Sequence, residues 1–537
     1  MSGSGQCRNV PGGHSYGVTA TVLAARRPCP NQNGIVGCSS YERSTECSRA
    51  ASDSRITTEP HFGGNKSNVG GNNMTRELYD LTAFELSHAY RAKELSPVEV
   101  TRAVLGRIET WEPRLNAMYI TDAERALAQA AASEKRWSEG APFAQLDGVP
   151  ITIKDLIATK GDPVPVGTAA ADFTPAAVDH PPVARVKEAG CVILGKTTMP
   201  DFGMLASGVS SLHGTTCNPW NTQRNTSGSS SGAGAAIAAG YGPLALGTDI
   251  GGSVRLPAAY NGIFALKPSL GRVPIYPPYL GRVTGPMTRT VTDAALLMNV
   301  LTRPDARDYM ALPYDARDWT EALVGEVRGK RLGLLMEIGA GTKPQPAVRR
   351  AIEAAAKTFE EAGAVVEPVG PFVTDEMLDG LDLFFQSRVL ADIERLPSER
   401  QSKVLPFILA WCRRAEGRTA VEAIRALAQI MLMREKAVAT IQGYDFLISP
   451  TSPITAYAVD EPAPGSDPLR PFDHILFTAP FNMSEQPAAS ICAGYDDGGL
   501  PIGLQIVGHR FDDAGVMMLA HSYERLRLPM RPWPDPA

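Results

Sequence analysis

The feature that most restricts the fold of this chain is a segment dense in glycine and serine at residues 227–255. Eight glycines fall within residues 228–252, and each loses more backbone entropy on ordering than any other residue type. Two runs of small apolar residues, 235–239 and 243–246, interrupt the glycines and are typical of buried structure. Glycine at this density is useful where backbone approaches a ligand or adopts positive φ. We therefore expect an ordered ligand-binding segment and not a flexible linker.

Two known motifs that such a segment could represent do not fit it. A Walker A loop ends in G-K-[ST], which is missing here. Residues 228–232 match G-x-S-x-G, but that nucleophile elbow follows a buried strand, whereas residues 221–227 are polar. A Ser–His–Asp triad also needs a downstream histidine, and none of the three candidates has a distinctive context: His474, His509 and His521. The segment is expected to belong to neither class of site.

The charge and hydropathy of the 537-residue chain argue against two further classes of protein. The formal net charge is −5, whereas nucleic-acid-binding domains usually carry a basic face. No run of about 18 apolar residues occurs, so no transmembrane helix is expected. We expect a small-molecule substrate, no nucleic acid, no membrane, and no cofactor or metal. The chain is expected to act as a monomer or homodimer.

The cysteines and the first 73 residues predict the location of the protein and its domain boundaries. None of the eight cysteines forms a C-x-x-C pair, so no zinc or redox motif is supported. Residues 1–73 are poor in apolar residues, and we expect a disordered, dispensable extension there, with the folded domain at residues 74–537. Four cysteines in that domain are typical of free thiols in a cytoplasmic enzyme: Cys191, Cys217, Cys412 and Cys492.

Hydrophobic periodicity after residue 74 indicates alternating helices and strands. Ser96-Pro97 is typical of an N-cap and first helical residue, and residues 149–153 alternate as a strand that ends at Lys154. This alternation is typical of an α/β layer fold. Residues 316–440 are amphipathic and predict a helical lid inserted into the domain. Further helices are expected near residues 233–240, 347–362, 419–440 and 514–526, and strands near 191–194, 243–247, 446–448 and 488–491.

Several motifs occur in an order that resembles the amidase signature family. The resemblance covers about residues 75–530 and implies a single α/β/α domain with a large mixed central sheet. It also implies hydrolysis by a Ser–cis-Ser–Lys triad. The chain departs from the family pattern at Ser227 and Ser231, where glycines are common, and at His213, where an aromatic residue is common. Besides the glycine- and serine-rich segment, the motifs lie at residues 148–155, 217–221, 266–272, 285–293, 480–482 and 499–505.

The same resemblance implies a role for each residue of the site. Ser253, in a Gly-Gly-Ser run, corresponds to the nucleophile, and Lys154 corresponds to the general base. Ser229 corresponds to the bridging serine that follows a cis peptide bond, here Gly228–Ser229. Ser230 matches a second serine that supports the lysine. The oxyanion hole falls on the backbone N–H groups of four successive residues, Ile250, Gly251, Gly252 and Ser253.

Elementary chemistry agrees with these roles. A serine hydroxyl is a weak nucleophile until a base removes its proton. Lysine is a base only when neutral, so its pKa of about 10.4 has to fall by several units, which burial achieves. Lys154 ends an apolar strand, where burial is expected, and strand alternation predicts that Asp155 points away from it. The two glycines before Ser253 allow successive N–H groups to converge on one oxygen.

The function expected from this site is hydrolysis of small aryl or alkyl amides through an acyl-enzyme. Ester and carbamate (urethane) cleavage uses the same chemistry, and the chain is similar to bacterial urethane-cleaving members of the family. Apolar lid residues at 383–385, 407–411 and 430–433 favour an apolar or aryl substrate where they line the pocket. Two alternatives stay open. One is the A-type component of a glutamine-dependent tRNA amidotransferase, which works with a partner protein, and the other is a non-catalytic binding protein on the same fold.

Overall fold

The computed structural model describes residues 76–535, so the extension expected at residues 1–73 lies outside them. Helix α2 illustrates how local sequence sets the helix boundaries. Ser96 caps it by accepting a hydrogen bond from the Val98 N–H, Pro97 is its first residue, and the sequence prediction is confirmed. The α-helices of the described residues are α1 (Ala83–Ala92), α2 (Pro97–Leu115), α3 (Ala123–Ser138), α4 (Pro181–Glu188), α5 (Ser231–Ala239), α6 (Arg255–Asn261), α7 (Val291–Leu301), α8 (Pro346–Glu361), α9 (Asp375–Glu394), α10 (Ser398–Gln401), α11 (Pro406–Cys412), α12 (Ala420–Thr440), α13 (Ala479–Met483) and α14 (Asp513–Leu526).

Most of the strands form one mixed sheet. The strands between residues 76 and 535 are β1 (Met118–Thr121), β2 (Pro150–Lys154), β3 (Val192–Thr197), β4 (Val209–Ser210), β5 (Gly214–Thr215), β6 (Cys217–Asn218), β7 (Asn221–Asn225), β8 (Leu244–Asp249), β9 (Phe264–Lys267), β10 (Val283–Thr288), β11 (Arg331–Leu334), β12 (Val365–Pro368), β13 (Phe446–Pro450), β14 (Ala488–Tyr495) and β15 (Pro501–Val507). Eleven of them form the central sheet, in the order β1-β3-β2-β8-β10-β9-β14-β15-β13-β11-β12. Strand β2 runs parallel to β3 and β8, β11 runs parallel to β12 and β13, and the other neighbours in this sheet are antiparallel.

The middle of this sheet is buried on both faces. Every residue of β2, β3, β8, β10 and β15 is buried. Because successive strand residues point to opposite faces, a strand buried throughout is covered on both sides. Helices supply that cover: α5 packs on β2 and β8, while α8 and α14 pack on β14 and β15. The α/β fold with a large mixed sheet is therefore confirmed.

The segment at residues 316–440 differs from its prediction as a wholly helical insertion. It contains β11 and β12, which extend the central sheet beyond β13. Each of these strands has four residues, too few to show a strand period in the sequence. The segment also contains the helices α8 to α12, and the last four of these, α9 to α12, are called the lid below. Their buried side chains share an apolar cluster with residues 472–483.

Two smaller findings concern thiols and membrane association. The cysteines between residues 76 and 535 are all free thiols, as the sequence predicts, and three of the four are buried. The other four cysteines of the chain lie outside the described residues. Within the described part of the chain, every helix is too short or too polar to cross a bilayer.

Candidate active site

Three elements converge at the end of the parallel strands β2 and β8. Ile153 of β2 lies opposite Leu246 of β8, so the last residue of β2, Lys154, lies beside the end of β8. Helix α5 begins with Ser230 as its N-cap and packs on both strands. The close approach requires glycine at residue 247 of β8, where a Cβ atom would lie 2.8 Å from Ser230 Oγ. The glycine-rich sequence thus lets a helix N-terminus lie directly against a strand end.

The Lys154 side chain is fully buried among hydroxyl groups. Its Nζ lies 2.9 Å from Ser229 Oγ, 3.0 Å from Ser230 Oγ and 2.9 Å from Thr248 Oγ1. Burial lowers the pKa of Lys154 to about 7, and the negative charges of Asp249 and Asp155 only partly oppose this effect. Near pH 7 the amine is therefore neutral in a large fraction of molecules.

The hydrogen bonds of Ser230 restrict how protons are arranged around this amine. Ser230 Oγ lies 3.2 Å from the Thr248 carbonyl oxygen, which can only accept, so the Ser230 hydroxyl donates there. Ser230 then accepts from Lys154. A neutral amine has two N–H donors and one lone pair, so one of its three hydroxyl neighbours has to donate to it. Ser229 and Thr248 are the two hydroxyls that remain for this purpose.

Ser253 lies beside the serine pair but does not form the expected side-chain contact. The Gly228–Ser229 peptide bond is cis, and the next N–H, that of Ser230, donates to the Ser253 carbonyl oxygen at 3.1 Å. Among residues 76–535, Ser253 Oγ has no hydrogen-bond partner, Ser229 included. Gly203 is a neighbour of both serines. Ser253 lines a cavity with Gly203, and a Cβ atom on Gly203 would lie 3.3 Å from Ser229 Oγ.

The loop that ends at Ser253 carries the four N–H groups that the sequence predicts as oxyanion donors. Within the described part of the chain, the N–H groups of Ile250, Gly251 and Ser253 have no acceptor. The Gly252 N–H instead donates to Asp249 Oδ1 at 2.7 Å. Gly252 differs from the other three residues in this respect because a carboxylate three residues earlier turns back to cap the loop.

A buried ion pair that the sequence analysis missed fixes this loop. Asp249 accepts hydrogen bonds from the N–H groups of Gly252 and Val254, from Arg255 and from the Asn482 amide. Burial alone would raise the pKa of Asp249, but the adjacent Arg255 guanidinium more than offsets this and holds it well below its usual range. The ionised carboxylate therefore holds the loop of residues 250–253 in place. Asp249, Arg255 and Asn482 all lie in motifs that carry the family resemblance, which was the available signal.

Asp155 and His213 form a separate pair next to the site. The Asp155 carboxylate accepts from the N–H groups of Val166 and Gly167 and lies 3.0 Å from His213 Nε2. The Asp155 carboxylate thus forms its hydrogen bonds away from the Lys154 amine, as strand alternation predicts. The His213 ring lies 4.7 Å from that of Tyr119, so this histidine packs as an aromatic ring while holding Asp155.

The downstream histidines contribute nothing to a serine triad. His509 Nε2 lies 2.9 Å from the Tyr444 carbonyl oxygen, and His521 Nδ1 lies 3.2 Å from that of Leu323. His474 is buried, which lowers its pKa to about 4, and its Nε2 has no partner among the described residues. The structure therefore agrees with the rejection of a Ser–His–Asp site.

The cavity at Ser253 is small and apolar. Its volume is about 20 Å³, and it receives one phenylalanine, Phe385, from the lid helix α9. The other lid residues considered in the sequence analysis pack elsewhere: Trp411 contacts Phe472, and Ile430 lies in the lid core. The remaining lining is mostly aliphatic or aromatic and comprises Met204, Leu205, Ala206, Ile250, Leu256, Phe472 and Ile475.

Known proteins resemble this chain along most of its length. The family model described as Amidase matches residues 99–517. The A component of the glutamyl-tRNA(Gln) amidotransferase of Geobacter metallireducens is 34% identical over 479 residues, covering 84% of this chain and 98% of the relative. The same component of the Moorella thermoacetica enzyme is 35% identical, covering 84% and 97%.

Solved structures show the same likeness. A bacterial aryl acylamidase belonging to the amidase signature enzymes superposes with a TM-score of 0.76 at 31% identity, covering 83% of this chain and 96% of that one. A 6-aminohexanoate cyclic dimer hydrolase complexed with substrate also has a TM-score of 0.76, at 26% identity, covering 85% and 98%.

Proposed function

The chain belongs to the Amidase (amidase signature) family, and from this premise we propose that it cleaves an amide C–N bond with Ser253 as nucleophile. The observation that carries the proposal is the contact of a buried, readily neutral Lys154 amine with the Ser229 hydroxyl at 2.9 Å. A lysine in this state is a base at neutral pH, and a serine beside it is a route for the proton.

The first half-reaction follows from this arrangement. The Ser253 hydroxyl attacks the amide carbon, its proton passes to Ser229, and the Ser229 proton passes to the lone pair of Lys154. The carbonyl π electrons move onto oxygen, where the N–H groups of Ile250, Gly251 and Ser253 stabilise the negative charge. Lys154 then returns a proton through Ser229 to the leaving nitrogen. The C–N bond breaks, the amine departs and the acyl group stays on Ser253.

The second half-reaction uses the same groups with water. Water attacks the acyl-enzyme ester, and its proton travels through Ser229 to Lys154. The C–Oγ bond then breaks, the proton returns to Ser253 Oγ, and the carboxylic acid is released. The scheme requires the Ser253 hydroxyl to rotate toward Ser229, and catalytic hydrogen bonds often tighten in this way only when substrate is bound.

Two classes of substrate are supported by different observations. The amidotransferase A components at 34–35% identity support a chain that works with partner proteins. This support is stronger than the support for hydrolysis of small amides. The apolar cavity at Ser253 supports an apolar or aryl acyl group, and esters and carbamates share the chemistry. A non-catalytic binding protein is disfavoured because every residue of the proposed triad is present.

A fluorophosphonate probe tests the nucleophile directly. We expect it to label the wild type but not Ser253→Ala. Ser231→Ala is the matched control, because Ser231 is a buried serine of the same segment that donates to the Thr198 carbonyl oxygen instead of Lys154. Labelling that survives in Ser253→Ala would refute the nucleophile, and an unlabelled, inactive wild type would favour a binding protein.

A hydrolysis panel separates the two substrate classes. The purified full chain is given anilides, primary amides, esters and aryl carbamates. Turnover by the chain alone supports a free-standing amidase. Activity that needs a co-purifying protein supports the amidotransferase component, because such a component is expected to work only together with its partner proteins.

A further inference from the structure

Two arginines, Arg282 and Arg388, converge beside the proposed active site. Their guanidinium carbons lie 5.6 Å and 4.7 Å from the centre of the same Tyr279 ring. Arg282 donates to the Pro277 carbonyl oxygen, and Arg388 Nη1 lies 3.8 Å from Met204 Sδ. Within residues 76–535, neither arginine forms an ion pair. Two cations thus share one aromatic ring without a carboxylate to neutralise them.

Each arginine is connected to a cavity near the proposed triad. Arg282 lines a cavity of about 50 Å³ together with Thr248, the residue whose hydroxyl contacts Lys154. Arg388 lies three residues after Phe385 on α9, a spacing that puts both on one face of the helix. Phe385 and Met204, which Arg388 contacts, both line the Ser253 cavity. A group bound between the arginines would therefore lie within reach of substrate at Ser253.

The electrostatics of the pair favour an anion. Burial and then the charge of Arg388 lower the pKa of Arg282 to about 10, so the protein does little to stabilise its charged form. Asp392, one turn beyond Arg388 on α9, attracts Arg282 weakly but lies 3.5 Å from Arg395. Two partly buried guanidiniums without a counterion destabilise the fold unless something else compensates, and a bidentate carboxylate is the group that arginine fits best.

We propose that Arg282 and Arg388 form a subsite for an anionic group, a carboxylate above all, carried by the amide substrate. The inference deepens the proposed function and rests on it. The preferred substrate then has an apolar part in the Ser253 cavity and an acid at the arginines. The acid belongs either to the acyl part or to the leaving amine, and both sources present the same carboxylate chemistry.

Matched substrates distinguish the two sources. Glutaryl-4-nitroanilide and valeryl-4-nitroanilide differ only by an acid on the acyl part, and 4-acetamidobenzoate and 4-methylacetanilide differ by an acid on the leaving amine. We expect the wild type to prefer the acid in one of these pairs by about tenfold or more in kcat/KM, as for a charge-assisted hydrogen bond. Arg388→Gln is expected to abolish that preference, and Arg388→Lys to retain part of it.

Arg388 is the residue to change, because Arg282 also acts on the pKa of Lys154 and its loss would mix two effects. The control is Arg350→Gln, which removes a cation from the surface of α8, where Arg350 pairs with the exposed Asp497. This variant is expected to keep the acid preference of the wild type. A preference that is equal in Arg388→Gln and the wild type would overturn the subsite.

A second assay does not depend on turnover. Glutarate is expected to slow fluorophosphonate labelling of Ser253 in the wild type and to lose this effect in Arg388→Gln. If Ser253 is labelled and neutral anilides are cleaved, but no acid is preferred and glutarate does not protect, the subsite is refuted while the proposed function stands. If Ser253 is not labelled and no amide is cleaved, the proposed function fails. If the probe labels Ser253 but no anilide is cleaved, glutarate protection alone decides.

Discussion

Two lysines on the same sheet, Lys154 of β2 and Lys267 of β9, share burial and differ in their neighbours. Both are fully buried, and burial lowers the pKa of each to about 7. Lys154 Nζ contacts three hydroxyls, whereas Lys267 Nζ donates to the Pro268 carbonyl oxygen at 3.0 Å. A carbonyl oxygen accepts a hydrogen bond but has no proton to give. A depressed pKa therefore makes a lysine available as a base, and only a neighbouring hydroxyl gives it a proton to move.

Lys196 on β3 adds an intermediate case. Burial lowers its pKa to about 8, and its Nζ donates to the Ile157 carbonyl oxygen and to Thr159 Oγ1 at 3.3 Å. It has one hydroxyl neighbour, but no serine pair lies beside it. The three lysines form a series in which the hydroxyl environment changes and burial stays nearly constant.

The largest expected effect breaks the comparison at Lys154. We expect Lys154→Met to lower kcat/KM by at least about 10³-fold, as loss of a catalytic base does when nucleophile and base act as a unit. The measurement is steady-state hydrolysis of the best substrate from the panel, with circular dichroism to establish folding. A folded Lys154→Met variant with wild-type turnover would contradict the proton route.

The pH dependence of activity is the next largest effect. The active form of Lys154 is the neutral amine, so kcat/KM is expected to rise as pH increases through about 7 and to level off above it. Between pH 7 and pH 5 the neutral fraction falls roughly 50-fold, and the rate falls with it. A rate independent of pH over this interval would show that another group is the base.

A smaller effect sharpens the role of the hydroxyl environment. Thr248→Val removes one of the three hydroxyls at Lys154 and should lower kcat/KM by about tenfold, the worth of one hydrogen bond. Thr284 lies directly opposite Thr248 on β10 and is also buried, but it makes no hydrogen bond to Lys154 among the described residues. Thr284→Val is therefore the control, and equal losses in both variants would indicate a packing effect.

The smallest effect is expected at Lys267. Because its amine donates to a backbone carbonyl and to no hydroxyl among residues 76–535, Lys267→Met should change kcat/KM by less than about tenfold and leave probe labelling of Ser253 intact. The substitution also removes the hydrogen bond to the Pro268 carbonyl oxygen, so its effect on stability has to be measured separately. Thermal unfolding measures the effect of Lys267→Met on stability. A loss of kcat/KM as large as that of Lys154→Met would show that burial, and not the neighbouring hydroxyls, decides whether a lysine takes part in catalysis.

The sequence motifs located most of the residues that meet at the proposed site. Ser229 and Ser230 precede a helix and Lys154 ends a strand, so the motif positions led to the group that meets at 2.9–3.0 Å. Thr248 was missed because the direction of its side chain depends on how β8 pairs with β2, which the spacing of residues does not determine. Strands β11 and β12 were missed because four residues carry too little periodicity.

The loop of residues 250–253 shows why the hydrogen bonding of the site could not be predicted in full. Glycine before Ser253 indicated convergent N–H groups, but which of them stay free depends on Asp249 turning back to Gly252. Asp249 is in turn held by Asn482, 233 residues away in sequence. Such long-range partners become neighbours only through the order of strands in the sheet, and no local pattern records that order.

The small volume of the cavity at Ser253 has a kinetic consequence. A volume of about 20 Å³ holds roughly one water molecule, whereas ligand pockets commonly span about 300–1,000 Å³, so side chains that line the cavity, Phe385 of α9 among them, have to move before an acyl group fits beside the nucleophile. Gating motions of this kind often limit turnover. Phe385 and Arg388 lie on the same helix, so a movement of α9 that enlarges the cavity would also reposition the guanidinium, and a dependence of kcat on solvent viscosity would show that such a movement limits turnover.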